Sequence, residues 1–350
     1  MFRTYQYRIK DTNAKKRLEK MASAVNYVWN YCKETSSSAL IHNKPFPSEF
    51  DLNNLTVGVS KELGIASTTV QEICKEYATR RKQFKKKKLK WRSFKRNLGW
   101  IPFKVASIKV AGSAIKYCKQ RFKIWQSREL PEGAVIKSGS FSQDSRGRWY
   151  VNLVCSVPEP ERVANLSASV GIDLGLKTMA TLSDGCKITS PKAYRNLEVA
   201  LSKAQRANKK RFVKNIHAKI KNIRKDHAHK ESLKVAKKYG TIFVGNVSSS
   251  KLAKTKFAKS VLDTGWSQFK TLLAYKAIAL GGVFGVVNEA FSTTTCAACS
   301  SRTGPRGLSA VGVREWICSA CGAVLDRDIN AAQNILRCGH ATLTKGILAL

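Results

Sequence analysis

Acidic side chains are scarce in this sequence. Its 350 residues hold 23 Asp and Glu against 63 Lys and Arg, a formal net charge of +40. A field of that sign opposes compaction unless a polyanion neutralises it, so the working state is expected to be a complex. Long apolar runs are missing as well. No stretch of about 18 apolar residues occurs, which excludes an ordinary transmembrane helix. No apolar core follows Met1-Phe2-Arg3-Thr4, so no secretory leader is expected. Of the two polyanions a cell offers, membrane surface and nucleic acid, these absences favour nucleic acid and a cytoplasmic location. A disulfide framework is also absent. Of ten cysteines, Cys32, Cys74, Cys118, Cys155, Cys186 and Cys338 are scattered singly, which suits a reduced compartment. What remains is ample: 43% hydrophobic residues can fill the cores of two or three domains.

Along the chain, Phe2 to Ile9 alternates as a strand does. Helical spacing follows to about Lys82, with Leu18, Met21, Ala22, Val25, Val28 and Trp29 on one expected buried face. Thr69, three residues ahead of Glu72, offers a capping box. The densest basic run comes next. Arg80, Arg81, Lys82, Lys85, Lys86, Lys87, Lys88, Lys90 and Arg92 are interleaved with Phe84, Trp91 and Phe94. A charge run is ordinarily a solvated linker; with aromatics between the cations, contact with phosphates and stacking on bases become the better expectation. Residues 101–160 read as β-rich, with Trp149, Val151, Leu153 and Cys155 on one face of a strand. Pro158-Glu159-Pro160-Glu161 reads as a domain boundary. Beyond it come strand, turn and strand over 167–182, a long basic helical stretch over 192–238, and a short strand at Thr241 to Val247. A helix from Asp263 to Leu280 and a strand from Gly281 to Val287 follow. Alternation of that kind predicts an α/β domain.

Two sets of residues carry chemistry. Cys296-x2-Cys299 and Cys318-x2-Cys321 are spaced as the ligands of a tetrahedral four-thiolate zinc site, structural because no position is left open for water. The carboxylates form the other set. Asp173 sits in Gly171-Ile172-Asp173-Leu174-Gly175 at a strand end, where a turn cap is the plain reading. Asp328 opens Asp328-Ile329-Asn330-Ala331-Ala332, where a helix cap is. Asp326 reads as a turn or salt-bridge residue, and Asp184 as part of a hairpin turn. Ser248 to Phe257 brings Lys251, Lys254 and Lys256 with hydroxyls suited to phosphate contact.

Taken in order, the GIDLG segment, the four cysteines and Asp328 to Leu336 after a basic first half resemble the TnpB family. These are RNA-guided DNA nucleases of insertion sequences, related to type V CRISPR effectors. The resemblance is specific over 170–340 and loose over 1–160. It implies a multidomain α+β architecture: a β-barrel-like wedge domain (1–10 and 91–160), an inserted helical recognition lobe (11–90), an RNase H-like RuvC α/β nuclease domain (166–291 and 325–350) and an inserted zinc ribbon (292–324). It further implies Mg2+ as catalytic cofactor, a guide RNA from the element's end, double-stranded target DNA recognised beside a short adjacent motif, and a monomer or dimer on one RNA. Matched by motif, Asp173 is the first catalytic aspartate and Asp328 the third carboxylate. One position departs from the pattern. Where the family places a catalytic glutamate, at the end of Ile242 to Asn246, this chain has Gly245 and Asn246. The next strand ends at Asn288-Glu289, so Glu289 is expected to reach across and serve as the missing ligand. Two other readings are a nuclease-inactive guided DNA-binding protein, with Glu289 an ordinary strand-end residue, and a transposase built on the RNase H fold.

Overall fold

The computed structural model describes residues 2–10, 12–83, 89–158, 168–255, 257–306 and 309–344. The chain separates into two compact units, Met1–Pro158 and Glu159–Leu350. Of the boundary segment, Glu159, Pro160 and Glu161 lie outside the described residues.

In the first unit, β1 (Phe2–Ile9) is followed by α1 (Thr12–Ile41), α2 (Glu49–Leu55), α3 (Val59–Leu63) and α4 (Ser67–Gln83). Six more strands come after the helices: β2 (Trp100–Lys104), β3 (Ile108–Ala111), β4 (Ala114–Tyr117), β5 (Gln120–Trp125), β6 (Val135–Gln143) and β7 (Trp149–Ser156). All seven join one antiparallel sheet in the order β2-β6-β7-β1-β5-β4-β3. The first strand thus lies near the middle of a sheet whose other strands are encoded after the helices. Period-two patterning explains its inner face: Trp149, Val151, Leu153 and Cys155 of β7 are all buried. Phe103, Tyr117, Phe122 and Phe141 cluster with ring centroids 5.3–6.0 Å apart, each burying roughly 1.5–3 kcal/mol of side chain. The expected stripe of α1, from Leu18 to Trp29, is buried, with Trp29 edge-on to Tyr77 at 5.2 Å. Thr69 is not a cap. It lies inside α4, fully buried, with Oγ1 2.7 Å from the Pro102 carbonyl and 2.6 Å from Tyr117 Oη. A buried hydroxyl must find partners, and here tertiary ones displaced the local one.

The second unit is built on β8 (Ser169–Asp173), β9 (Ala180–Leu182), β10 (Lys187–Ile188), β11 (Thr241–Gly245) and β12 (Val283–Val287), in the order β10-β9-β8-β11-β12. β8 and β10 run antiparallel to β9, and β11 runs parallel to β8 and β12. α5 (Ala193–Arg206) and α6 (Lys210–Lys238) connect β10 to β11, and α7 (Ser249–Leu252), α8 (Ala258–Thr264) and α9 (Trp266–Ala279) connect β11 to β12. The single helix expected from Asp263 to Leu280 is broken at Gly265, whose φ of 72° is left-handed and ends α8. A two-stranded hairpin, β13 (Glu315–Ile317) and β14 (Val324–Asp326), leads into α10 (Arg327–Thr344), which packs on β8. The approach is close because Gly171 has no side chain: a Cβ there would lie 2.1 Å from the Ala332 carbonyl oxygen. Among the described residues, no helix is long and apolar enough to cross a membrane.

Candidate functional site

Parallel pairing of β8, β11 and β12 brings their C-terminal ends to one edge of the sheet. Asp173 is the last residue of β8. Gly245 ends β11, in register with Val287, which ends β12, and Glu289 follows two residues later. α10 delivers Asp328 from its first turn. Its N-terminus is capped not by Asp328 but by Asp326, whose Oδ1 accepts from the amides of Asp328 (2.9 Å) and Ile329 (3.0 Å). Asp326 also pairs with Lys187 at 2.8 Å. The Asp328 carboxylate takes no part in the cap, and its charge acts on Asp173 at the sheet edge.

Asp173 feels the other two carboxylates. Burial pushes Asp173 up to about 7, and the negative charges of Glu289 and Asp328 push in the same direction. Burial also raises Glu289, against the opposing pull of the Val247 amide and Lys270. Glu289 Oε2 is buried without a hydrogen-bond partner, an arrangement that costs stability unless a cation or donor meets it. Its place is specific: a Cβ built on Gly245 would lie 2.3 Å from that oxygen and 3.3 Å from Glu289 Cβ. The carboxylate of Glu289 therefore occupies the volume that a side chain at position 245 would need. Asn246 supports the turn, its Oδ1 accepting from the Glu289 amide at 3.4 Å. Arg314, from the segment ahead of β13, donates to both oxygens of Asp328 at 3.0 and 3.1 Å.

Among the described residues, only Cys296, Cys299, Cys318 and Cys321 bring potential ligand atoms within 4.8 Å of one another; the carboxylate trio is set wider. The sulfurs of Cys296 and Cys321 are 3.7 Å apart and those of Cys299 and Cys318 3.6 Å. A tetrahedron with metal–sulfur bonds of about 2.3 Å has edges of about 3.8 Å, so the four thiols fit a zinc ion. The Thr303 hydroxyl, 3.1 Å from Cys318 Sγ, helps hold that thiol down to about 6. Trp316 packs on Cys296 and Cys318.

The basic residues divide. In the first unit Arg80, Lys82 and Lys90 are exposed, and Trp91 is 51% exposed with Lys33 Nζ 3.8 Å over its ring. Arg81 is tied to the Pro47 carbonyl at 3.2 Å and stacks on Phe46. Arg92 is a packing residue: its Nε donates to Asn26 at 2.9 Å, and its guanidinium lies over Trp29 and Trp100. Its residue type gave no sign of this, because Asn26 and Trp29 lie more than 60 residues away. Phe84, Lys85, Lys86, Lys87 and Lys88 lie outside the described residues, as does Lys256. Of Lys251 only the backbone is described, and Lys254 is exposed. Sequence reasoning also missed Arg314, which no motif marks and which only the fold brings to Asp328.

A barrel-like antiparallel sheet in one unit, and in the other a mixed sheet with carboxylates at one edge and a cysteine-bearing hairpin beside it, define a multidomain α/β protein. Comparison with known proteins shows what the chain is similar to. Residues 152–256 match the OrfB_IS605 pattern, described as "Probable transposase", and residues 266–335 match "Cas12f1-like, TNB domain". A Streptomyces pristinaespiralis protein named "Putative RNA-guided DNA endonuclease" is 38% identical over 237 residues, covering 63% of this chain and 57% of that one. The Escherichia coli protein "Putative RNA-guided DNA endonuclease InsQ" is 29% identical over 240 residues, covering 61% and 59%. The chain thus spans just under three fifths of the length of both relatives. In fold it is similar to the protein in "Cryo-EM structure of the Cas12f1-sgRNA-target DNA complex", with a TM-score of 0.61 over 93% of this chain and 83% of that one, at 13% identity. Over residues 152–256 and 266–335 the chain is thus similar to TnpB-type proteins.

Proposed function

We propose that this chain is an RNA-guided, Mg2+-dependent DNA endonuclease encoded by a transposable element, with Asp173, Glu289 and Asp328 as its metal-binding carboxylates. The observation that carries the reading is the Glu289 carboxylate, buried, partly unpaired and seated in the volume above Gly245. Two acidic residues alone could be turn and helix caps. A third, displaced from its usual strand into the same place and raising the charge cost of the first, has no structural use.

In this reading the five-stranded unit is an RNase H-like, RuvC-type nuclease domain, the hairpin with its four cysteines an inserted zinc ribbon, and the seven-stranded sheet with its helices the wedge and recognition lobe. Mg2+ bound among the carboxylates would supply an activated water and charge stabilisation for in-line cleavage of a phosphodiester. The chain's own part is positional. β8 and α10 fix Asp173 and Asp328, the Asn246-supported turn fixes Glu289, and Arg314 holds a positive charge beside Asp328 where an incoming phosphate needs one. The exposed Arg80, Lys82, Lys90, Trp91 and Lys254 contact phosphates and bases, as a guide RNA from the element's end and a double-stranded DNA target require. Target choice next to a short adjacent motif then rests on base pairing. Cys296, Cys299, Cys318 and Cys321 would hold zinc, which would fix the ribbon and with it Arg314.

The test is cleavage of a matched DNA target by the purified protein–RNA complex in Mg2+, with binding measured on the same preparation. Wild type is expected to bind and cut, and Asp173→Ala to bind equally and lose at least a hundredfold in rate. Wild-type binding with no cutting would mark a guided binder and reject the nuclease.

A further inference from the structure

The backbone turns sharply after Glu289. The Ser292 amide donates to the Glu289 carbonyl at 3.0 Å, which makes Glu289 to Ser292 a β-turn with Phe291 in its third position. Phe291 has φ = 65° there. Gly or Asn is the usual occupant, and a bulky ring adopts that conformation only against a steric cost. Burial does not compensate, because Phe291 remains 58% exposed. A strained, exposed aromatic two residues from a candidate metal ligand calls for a ligand of its own.

Its surroundings indicate which. The Arg302 guanidinium lies 4.2 Å from the ring centroid. Phe291 and Arg302 line a pocket of 350 Å3 with Thr293, Thr294, Arg306 and Arg327, within the roughly 300–1,000 Å3 usual for small-ligand sites. No acidic residue lines it. One wall is fixed by Gly304, whose amide donates to Thr294 at 2.9 Å and where a Cβ would stand 2.9 Å from that backbone. Arg327 precedes Asp328, and its charge acts on Asp173, so the pocket adjoins the carboxylates. Three arginines in one pocket, one of them stacked on a ring that stays 58% exposed, suit a flat, apolar group joined to anions.

We propose that this pocket holds one unpaired nucleotide of a DNA strand beside the bond to be cut, its base stacked on Phe291 and its phosphates on Arg302 and Arg306. That the strand is DNA rests on the function proposed above; the base-stacking site does not. Stacking requires an unpaired base, so the pocket selects single-stranded substrate.

The experiment uses the full protein–RNA complex in an Asp173→Ala background, so that cutting does not interfere. Labelled oligothymidylate of about ten nucleotides is compared with an abasic oligomer of equal length and charge. The base-bearing probe is expected to bind roughly 5- to 100-fold tighter. Phe291→Gly should erase that preference, leave abasic binding unchanged and hold or raise the melting midpoint, because glycine relaxes the turn. Phe291→Trp should keep the preference. The proposal is overturned if Phe291→Gly retains it, or if both probes weaken together and the midpoint falls, which would make the ring a packing residue. A Phe291-dependent preference seen with oligouridylate but not with oligothymidylate would assign the pocket to RNA and overturn the DNA reading. Loss of target cutting by wild type with the preference intact would fault the nuclease and leave this site standing.

Discussion

At residue scale, the site turns on what is absent at position 245. Gly245 and Gly171 both face crowded neighbours, but of different kinds. An added methyl at Gly171 meets the backbone of α10, Ala332 O at 2.1 Å and Leu336 N at 2.5 Å, which cannot move without shifting the helix. At Gly245 the nearest atom is the tip of Glu289, with Ile335 Cδ1 next at 3.2 Å. Gly171→Ala is therefore expected to lower unfolding stability by about 2 kcal/mol or more. Gly245→Ala should cost under about 1 kcal/mol yet slow cleavage at least tenfold by driving the Glu289 carboxylate aside. Denaturant titration and single-turnover cleavage on the same two variants check the pair. The strand-end place of Asp173 and the helix-start place of Asp328 were legible in the sequence because each sits in a local motif. The approach of Glu289 to Gly245 was legible only through the missing side chain there, since it depends on β11 and β12 being neighbours. Arg314 and the strained Phe291 were not legible, because tertiary contact and backbone torsion leave no mark on composition.

At element scale, the cysteine ribbon and α6 with α9 each make a separate demand. The clustering of Cys296, Cys299, Cys318 and Cys321 could be read from the sequence because each cysteine pair is local. What could not be read is that the segment they stabilise also carries Arg314. Zinc removal by a chelator is expected to release the hairpin of β13 and β14 and the grip on Asp328. The unit should then lose its ribbon signals in NMR or hydrogen exchange while β8 and β11 stay protected. Between α6 and α9, Lys276 is buried with its ammonium donating to the His229 carbonyl at 2.6 Å and to Ser232 Oγ at 2.8 Å. Burial lowers its pKa from 10.5 to about 8. Between about pH 8 and 10.5 the unfolded chain binds more protons at this group than the folded one, so folding stability rises with pH across that window. Lys276→Met should remove the increment, read as the difference between wild type and variant in denaturation midpoints at pH 8 and pH 10. The break at Gly265, which helical periodicity passes over, shows the limit of pattern reading: one residue able to take positive φ divides an otherwise continuous helix.

At the scale of the whole molecule, charge dominates. A net +40 exceeds what internal pairing can offset, and most of the ion pairs among the described residues are at the surface, where each contributes about 0–1 kcal/mol. A bound polyanion, as the sequence implies, is therefore expected to add to the stability of the folded state. Nuclease digestion of the copurified RNA is expected to lower the melting midpoint and promote aggregation, and an unchanged midpoint would count against that. The alternation of strands and helices could be read from the sequence because periodicity records which face is buried. The place of β1 within the seven-stranded sheet could not, because register between strands more than a hundred residues apart is set by packing alone.

The central claim is that Glu289 completes the carboxylate site from the neighbouring strand. The most direct measurement is the single-turnover cleavage rate of the protein–RNA complex for wild type, Glu289→Gln and the double variant Gly245→Glu, Glu289→Gly, with target binding measured in parallel. The account predicts that Glu289→Gln binds normally and cuts at least a hundredfold more slowly, and that the double variant, which returns the carboxylate to β11, recovers part of the loss. Cutting by Glu289→Gln at the wild-type rate would contradict it.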